Sequence, residues 1–346
     1  MFIKLKEKLD KELIKYIDYI DKRYRLSRIS ESLFRNIKDF TLRKGKRIRP
    51  IMFICGYKGF SNKTPKNLFR CALSMEFLHD FLLVHDDIVD RSDTRRGKPT
   101  MHIMLTKEIK RKNKAKFTGE DLAIVIGDVM YAIAIESFLS IKEDPSRKEK
   151  ALIEFIEAAF YTGCGEYIEL LLTTNKLEDI KKSEIYKVYD YKTAYYTFVA
   201  PLVAGATLAG ASKGEIRKLR EFGINTGRAF QIKDDILGVF GDEKITGKSS
   251  LTDLEENKKT ILLWYAYRKA THKERIILDR IVNKGKLTHK DLITAQNVIK
   301  RTGSLNYAIN ETKILYDRSI TVLAKSRMKK KYKNELLCYA KKILTS

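Results

Sequence analysis

The chain has 346 residues, 44% of them hydrophobic, enough to bury a large core as one or two domains. Lys and Arg number 69 against 44 Asp and Glu, and the resulting formal charge of +25 draws polyanions of any kind, from nucleic acid to anionic lipid to phosphorylated small molecules. The four cysteines, Cys55, Cys71, Cys164 and Cys338, show neither a CxxC pair nor zinc-finger spacing. That excludes a zinc ribbon and predicts reduced, mostly buried thiols in a cytoplasmic protein.

The N-terminal segment is charged throughout and does not read as a signal peptide. Residues 4–22 carry Leu5, Leu9, Leu13, Ile14, Ile17 and Ile20 on one stripe, the pattern of an amphipathic helix. Helical periodicity recurs over 66–90, 120–141, 148–173, 178–190, 193–211, 213–238, 257–271, 288–301 and 303–325. The apolar stretch DLAIVIGDVMYAIAIESFLSI holds Asp128 and Glu136, and TFVAPLVAGATLAGAS is short and contains Pro201; both read as buried helices rather than membrane spans. Only 5 prolines occur, no alternating hairpin with an Asn-Gly or Asp-Gly turn is seen, and no Gly/Ser linker divides the chain. The expectation is all-α: one domain over residues 1–346, a bundle of ten or more helices around a central cavity. Two polar stretches, the basic 107–116 and the glycine-containing 241–259, read as loops.

The chemistry is concentrated in a few places. HDDIVDRSDTRRGKPTMH, residues 85–102, closes an apolar helix with Asp86, Asp87 and Asp90 and then places Arg95 beside Arg96. Asp86 and Asp90 are four apart and share a helix face; like charges so placed destabilise a helix unless something offsets them, and hard divalent cations take oxygen ligands. His79, seven residues earlier, falls on roughly the same face. A second pair, Asp234 and Asp235 in FQIKDDILGVFGD, also closes an amphipathic helix. Two such helices facing each other would hold Mg²⁺ ions between their carboxylates and so bridge a diphosphate, with Arg95, Arg96, Lys192 and Lys248 neutralising its remaining oxygens. A third element, LRKGKRIRP, sets Lys46, Arg47 and Arg49 around Gly45 and Pro50. Taken singly, each has a plainer explanation: a solvated helix end, a core histidine at 79, a helix-end cation at Lys192, an interior amide at Gln231.

Taken in order, these motifs resemble the trans-isoprenyl diphosphate synthases. KGKRIRP is similar to the family's GGKRxRP, with Lys44 for the first glycine. MEFLHDFLLVHDDIVD is similar to its ExxH helix and first DDxxD, RRGKPTMH to RRGxPxxH, GEYIEL to GQxxDL, and YKTAYYTF to the KT motif. FQIKDDILGVFGD with Gly247 and Lys248 is similar to the second aspartate motif, with Gly238 standing where the third acid is usual and Asp242 on the same stripe only if the helix continues. The basic stretch 107–116 is longer than is usual.

The resemblance implies the isoprenoid synthase type I fold and a prenyltransferase joining isopentenyl diphosphate to an allylic diphosphate. It implies about three Mg²⁺ per active site, replaceable by Mn²⁺, with Asp86, Asp87, Asp90, Asp234 and Asp235 as metal ligands. Arg95, Lys192 and Lys248 would hold the allylic diphosphate; Lys46, Arg49, His79 and Arg96 would hold isopentenyl diphosphate; Thr193 and Gln231 would face the allylic cation. Phe81 and Leu82, five and four residues before Asp86, would limit product length, with an archaeal-type C20 product first and C15 second. A homodimer is implied, nucleic acid is not expected as a partner, and the charge permits contact with an anionic membrane. A class I terpene cyclase remains an alternative because Asp242 follows Asp234 by eight residues, although the basic KGKRIRP turn with His79 and Arg96 has no use in a cyclase.

Overall fold

A computed structural model describes residues 1–95, 97–110, 115–241 and 251–345. The chain divides into two compact units, Met1–Phe155 with Pro201–Ala211, and Ile156–Ala200 with Ser212–Ser346. Both are helical. The strands among the described residues are two short ones, β1 (Thr94–Arg95) and β2 (Lys98–Pro99), paired antiparallel with Thr94 opposite Pro99. This small hairpin was not expected from the sequence; its turn contains Gly97 at φ 72, a backbone region that glycine reaches without strain.

The first unit contains α1 (Phe2–Tyr24), α2 (Leu26–Ile29), α3 (Glu31–Leu42), α4 (Ile48–Phe60), α5 (Leu68–Val89), α6 (Met101–Ile109) and α7 (Gly119–Leu139). On α1 the buried stripe is Leu9, Leu13, Tyr16, Ile17 and Ile20; Ile14, expected with them, faces outward. Thr118 and Asp121 cap each other at the start of α7, the Asp121 N–H donating to Thr118 Oγ1 at 3.1 Å and the Thr118 N–H to Asp121 Oδ2 at 2.8 Å. Residues 26–60, outside the periodic stretches named above, form three helices. One of them, α4, is apolar on nearly every side, with Ile51 to Tyr57 all buried. Its backbone approaches α10 (Ala200–Leu208) so closely that a Cβ on Gly56 would lie 2.2 Å from the Leu202 carbonyl oxygen, and one on Gly205 would lie 2.1 Å from that of Phe53.

α8 (Pro145–Thr173) has residues in both units. In the second unit α9 (Lys182–Val188) runs without a break into a π-helical segment, Tyr189–Val199, and from there into α10. The sequence predicts two helices separated near residue 191, but no breaker lies there. Pro201, which has no N–H for the carbonyl four residues back, follows the wide turn instead. The π segment lies against α11 (Lys213–Phe240): a Cβ on Gly227 would meet Ala194 Cα at 2.4 Å, and one on Gly223 would meet Val199 Cγ2 at 2.7 Å. Helices Thr252–Glu255, Ile261–Lys269, His272–Val282, His289–Arg301, Ser304–Ala324 and Lys330–Thr345 complete the unit. α6 takes up the start of the basic stretch 107–116, and Thr252–Glu255 lies within the second expected loop.

Cys55 and Cys71 are buried, Cys164 is half-buried and Cys338 is exposed, so burial holds for two of the four thiols. α7 is the one described helix long and apolar enough to cross a membrane. It is less enclosed than the buried helix expected from its sequence: Ile124, Val125 and Leu139 are 42%, 57% and 45% exposed.

Candidate active site

The apolar run LFRCALSMEFLHDFLLVHDD buries α5 on most of its surface and carries the first acid cluster to the helix end. Asp86 and Asp90 are half-buried, one turn apart, with the Asp90 N–H donating to the Asp86 carbonyl at 2.8 Å. Asp87 faces the other way and is fully buried. Arg95, delivered by β1, donates from Nε to Asp87 Oδ1 at 2.7 Å and from Nη2 to Asp86 Oδ2 at 3.3 Å. The placement of Arg95 just after this acid cluster therefore has a local cause: Arg95 is the countercharge that lets Asp87 sit inside. Burial nonetheless pushes the Asp87 carboxyl above its usual range, against the pull of Arg95. The structure thus presents Asp86 and Asp90 as oxygen donors and gives Asp87 to Arg95. Arg96 lies outside the described residues.

Phe81 and Leu82 are half-buried on α5. The Phe81 ring touches His85 at 4.7 Å and Tyr131 of α7 at 5.0 Å between centroids, and Tyr131 stacks on Phe155 at 6.4 Å. α7 leaves room for this layer because residue 127 is glycine. A Cβ there would lie 2.4 Å from His85 Nε2 and 3.5 Å from Phe81 Cδ2. His79, earlier on the same helix, is half-buried.

In the KGKRIRP turn Lys46 is exposed and Arg49 half-buried, while Arg47 is buried in an αL conformation at φ 52. Arg47 donates to Glu76 Oε1 at 2.5 Å, to Asp10 Oδ1 at 2.9 Å, and to the Thr41 and Arg43 carbonyls at 3.3 and 3.0 Å. Sequence reasoning did not give Arg47 this role. The available signal was Glu76, which opens the ExxH motif inside α5: a carboxylate buried with that stretch needs a cationic partner.

In the second unit Thr193 donates to Gln231 Oε1 at 2.8 Å, and Gln231 Nε2 donates to Asp235 Oδ1 at 3.2 Å. The hydroxyl of fully buried Tyr189 donates to Asp235, which is itself buried. Burial, with Asp235 adding to it, holds the Tyr189 phenol well above its usual range. Asp234 lies beside Asp235 on α11 and is more exposed. Lys192 is clasped by Glu166, at 2.6 Å, and Glu169, three apart on α8. Sequence reasoning missed both glutamates as partners of Lys192, although GEYIEL gave their positions. Lys192 and Thr193 belong to the π segment, a departure from the α ladder that recurs at functional sites. Lys248 and Asp242 lie outside the described residues.

An aspartate-ended apolar helix beside an arginine hairpin, in an all-α chain, defines an isoprenoid-synthase class of protein, and comparison with known proteins agrees. Residues 30–300 match the model of the polyprenyl synthetase family. The geranylfarnesyl diphosphate synthase of Aeropyrum pernix is 33% identical over 285 residues, 81% of this chain and 83% of that one. The geranylgeranyl diphosphate synthase of Saccharolobus solfataricus is 30% identical over 322 residues, 91% of this chain and 92% of that one. Among solved structures, the geranylgeranyl pyrophosphate synthase of Corynebacterium glutamicum, complexed with isoprenyl diphosphate and magnesium, superposes with TM-score 0.89 at 27% identity, covering 99% of this chain and 98% of that one. The chain belongs to the polyprenyl synthetase family. It is a prenyltransferase, which sets aside the cyclase alternative.

Proposed function

We propose that this prenyltransferase condenses isopentenyl diphosphate with an allylic primer (dimethylallyl, geranyl or farnesyl diphosphate) and that its main product is the C20 geranylgeranyl diphosphate. The observation that carries this reading is the order of side chains on α5. Phe81 and Leu82 precede Asp86 by little more than a turn, about 6–8 Å along the axis, so one ring stands within a short prenyl chain's length of the carboxylates. An aromatic at the fifth position without one at the fourth is the pattern of C20 synthases, and Leu82 argues against C15. The Aeropyrum pernix relative bears a geranylfarnesyl name, which makes C25 the second reading.

Asp86 and Asp90 offer hard carboxylate oxygens one turn apart on a half-exposed face. That donor set fits Mg²⁺, and Mn²⁺ in its place. When bound, Mg²⁺ would supply the charge that stabilises the leaving diphosphate, with about three ions per site. In the first unit we assign Arg95 to the allylic diphosphate and Lys46, Arg49, His79 and Arg96 to isopentenyl diphosphate. In the second unit we assign Asp234 to metal, Lys192 and Lys248 to diphosphate, and the bonded pair Thr193 and Gln231 to the allylic cation, toward which their oxygens present lone pairs. Asp87 and Asp235, both buried, hold Arg95 and Gln231 in position.

The family match over 30–300 takes in residues of both units, which supports a single functional domain. The outward apolar face of α7 fits burial against a second copy of the chain. A cytoplasmic enzyme that meets anionic membrane through its +25 charge completes the reading. The test is mass analysis of products from isopentenyl diphosphate with each primer, with Mg²⁺ and with excess EDTA. A C20 product that disappears in EDTA is expected. Full turnover in EDTA would overturn the metal assignment, and a C15 or C25 main product would overturn the chain length.

A further inference from the structure

We propose that the second unit carries a binding pocket for a small phosphate-type dianion, built around Lys259 and Arg275 and composed of none of the motif residues. A cavity of about 470 Å³ lies among the segment that follows α8, Lys259, and helices Ile261–Lys269 and His272–Val282. That volume is within the ~300–1,000 Å³ usual for small-molecule sites. Lys259, immediately before the N-cap Thr260, lines it and is only 7% exposed. Its Nζ donates to Asn257 Oδ1 at 2.5 Å, a neutral acceptor for a group with three donors. Arg275 lines the same cavity; its Nε donates to the Tyr267 carbonyl at 3.2 Å and its guanidinium lies 5.4 Å from the centre of the Tyr267 ring.

Neither cation has a carboxylate within ion-pair distance among the described residues. Of the acids that face the cavity, Glu178 is 3.7 Å from Lys176, and Asp279 accepts from the Tyr267 hydroxyl at 3.0 Å while its charge also acts on Lys259 from beyond ion-pair distance. Beside His272, the charged groups that face the cavity, Lys176, Lys259 and Arg275 against Glu178 and Asp279, leave one positive charge in excess. A buried ammonium with no carboxylate in direct contact is costly, and an ammonium and an arginine fork lining one cavity form a donor set for a tetrahedral oxyanion. Leu177, Ile276 and Val282 give the cavity an apolar wall along which a short organic tail would lie. Burial lowers the Lys259 ammonium to about 8, so a bound anion would raise it and take up a proton. Affinity therefore falls as pH rises past 8.

The experiment is calorimetric titration of the full-length protein in EDTA with sulfate, inorganic phosphate and butyl phosphate. One saturable site is expected. Sulfate, whose charge is constant between pH 7 and 9, should bind roughly tenfold more weakly at pH 9 as Lys259 deprotonates. Lys259→Met and Arg275→Gln should each lose at least about tenfold in affinity for a charge-assisted contact, with prenyl transfer unchanged. Tighter binding of butyl phosphate than of phosphate would identify a phosphomonoester as the ligand; equal binding would identify the free oxyanion. Wild-type affinity in a folded Lys259→Met protein, or no saturable site in the wild type, would overturn the proposal. Should Lys259→Met fail to fold, the exposed Arg275→Gln decides in the same way.

Discussion

If Phe81 is the floor proposed above, replacing it with alanine should lengthen the product by one isoprenoid unit. The ring lies between His85, at 4.7 Å, and Tyr131, at 5.0 Å. Its removal exposes Tyr131 as the next aromatic layer, so chains should grow by one isoprenoid unit to C25 and then stop again. Phe81 is half-buried, so the stability loss should fall below the ~3–5 kcal/mol of a fully buried Phe→Ala. The opposite change is available on α7. In Gly127→Ala the new Cβ would start 2.4 Å from His85 Nε2, over an ångström inside the ordinary ~3.5–4.0 Å contact, so His85 must move. His85 packs against Phe81, and the ring moves with it. Overpacking of this kind costs about 1–3 kcal/mol and should shift products toward C15. The assay is chromatographic resolution of prenyl chain lengths, with thermal melts of each variant. If Phe81→Ala is folded and its products are unchanged, Phe81 is not the floor. If Phe81→Ala lengthens products but folded Gly127→Ala leaves the wild-type distribution, the floor reading stands and the coupling through His85 fails.

Asp86→Ala should lower kcat by orders of magnitude with little change in melting temperature, since Asp86 is half-buried and its charge is proposed to act mainly in the transition state; near-normal kcat would contradict this. Arg47→Met should destabilise the protein by about 3–5 kcal/mol because it leaves buried Glu76 without its partner, and chemical denaturation would show the shift. Replacing both Arg47 and Glu76 with apolar residues should recover much of that loss. Lys259→Met should be more stable than the wild type at pH 7. The Lys259 value is depressed from 10.5 to about 8, so its stabilising contribution is present above 10.5 and is lost as pH falls through about 8. The gap between the two proteins should therefore close between pH 8 and 10.5, and a constant gap would show that Lys259 does not change its charge on folding.

Much of this was legible in the sequence because helical periodicity and local motifs are short-range signals. Most of the stripe on α1 and the helices that carry Asp86 and Asp234 follow from spacing alone, although α11 runs on past Asp234 to Phe240. The rest depends on three-dimensional partners. Asp86 and Asp87 are adjacent and chemically identical, and only Arg95, arriving from a hairpin too short to leave a pattern, separates the half-exposed from the buried carboxylate. Asp234 and Asp235 divide in the same way through Tyr189. α4 escaped a periodicity reading because it is apolar nearly all round, and a helix without a polar face has no period. The unbroken passage from α9 through the π segment escaped because no residue type announces a wide turn.

That wide turn makes chain length, rather than residue identity, the sensitive quantity between Tyr189 and Val199. A helix indexes its side chains by about 100° per residue, so removing one residue from an ordinary α-helix rotates everything beyond the cut. Here the backbone already accommodates surplus chain, and excising one residue would relax the segment toward the α ladder. The loss would be felt as phase: Lys192 turned away from Glu166 and Glu169, or Thr193 from Gln231, depending on which side of the cut each lies. An insertion or deletion that leaves the neighbouring side chains in place but shifts the count by one would thus do more harm here than many replacements of the side chains themselves.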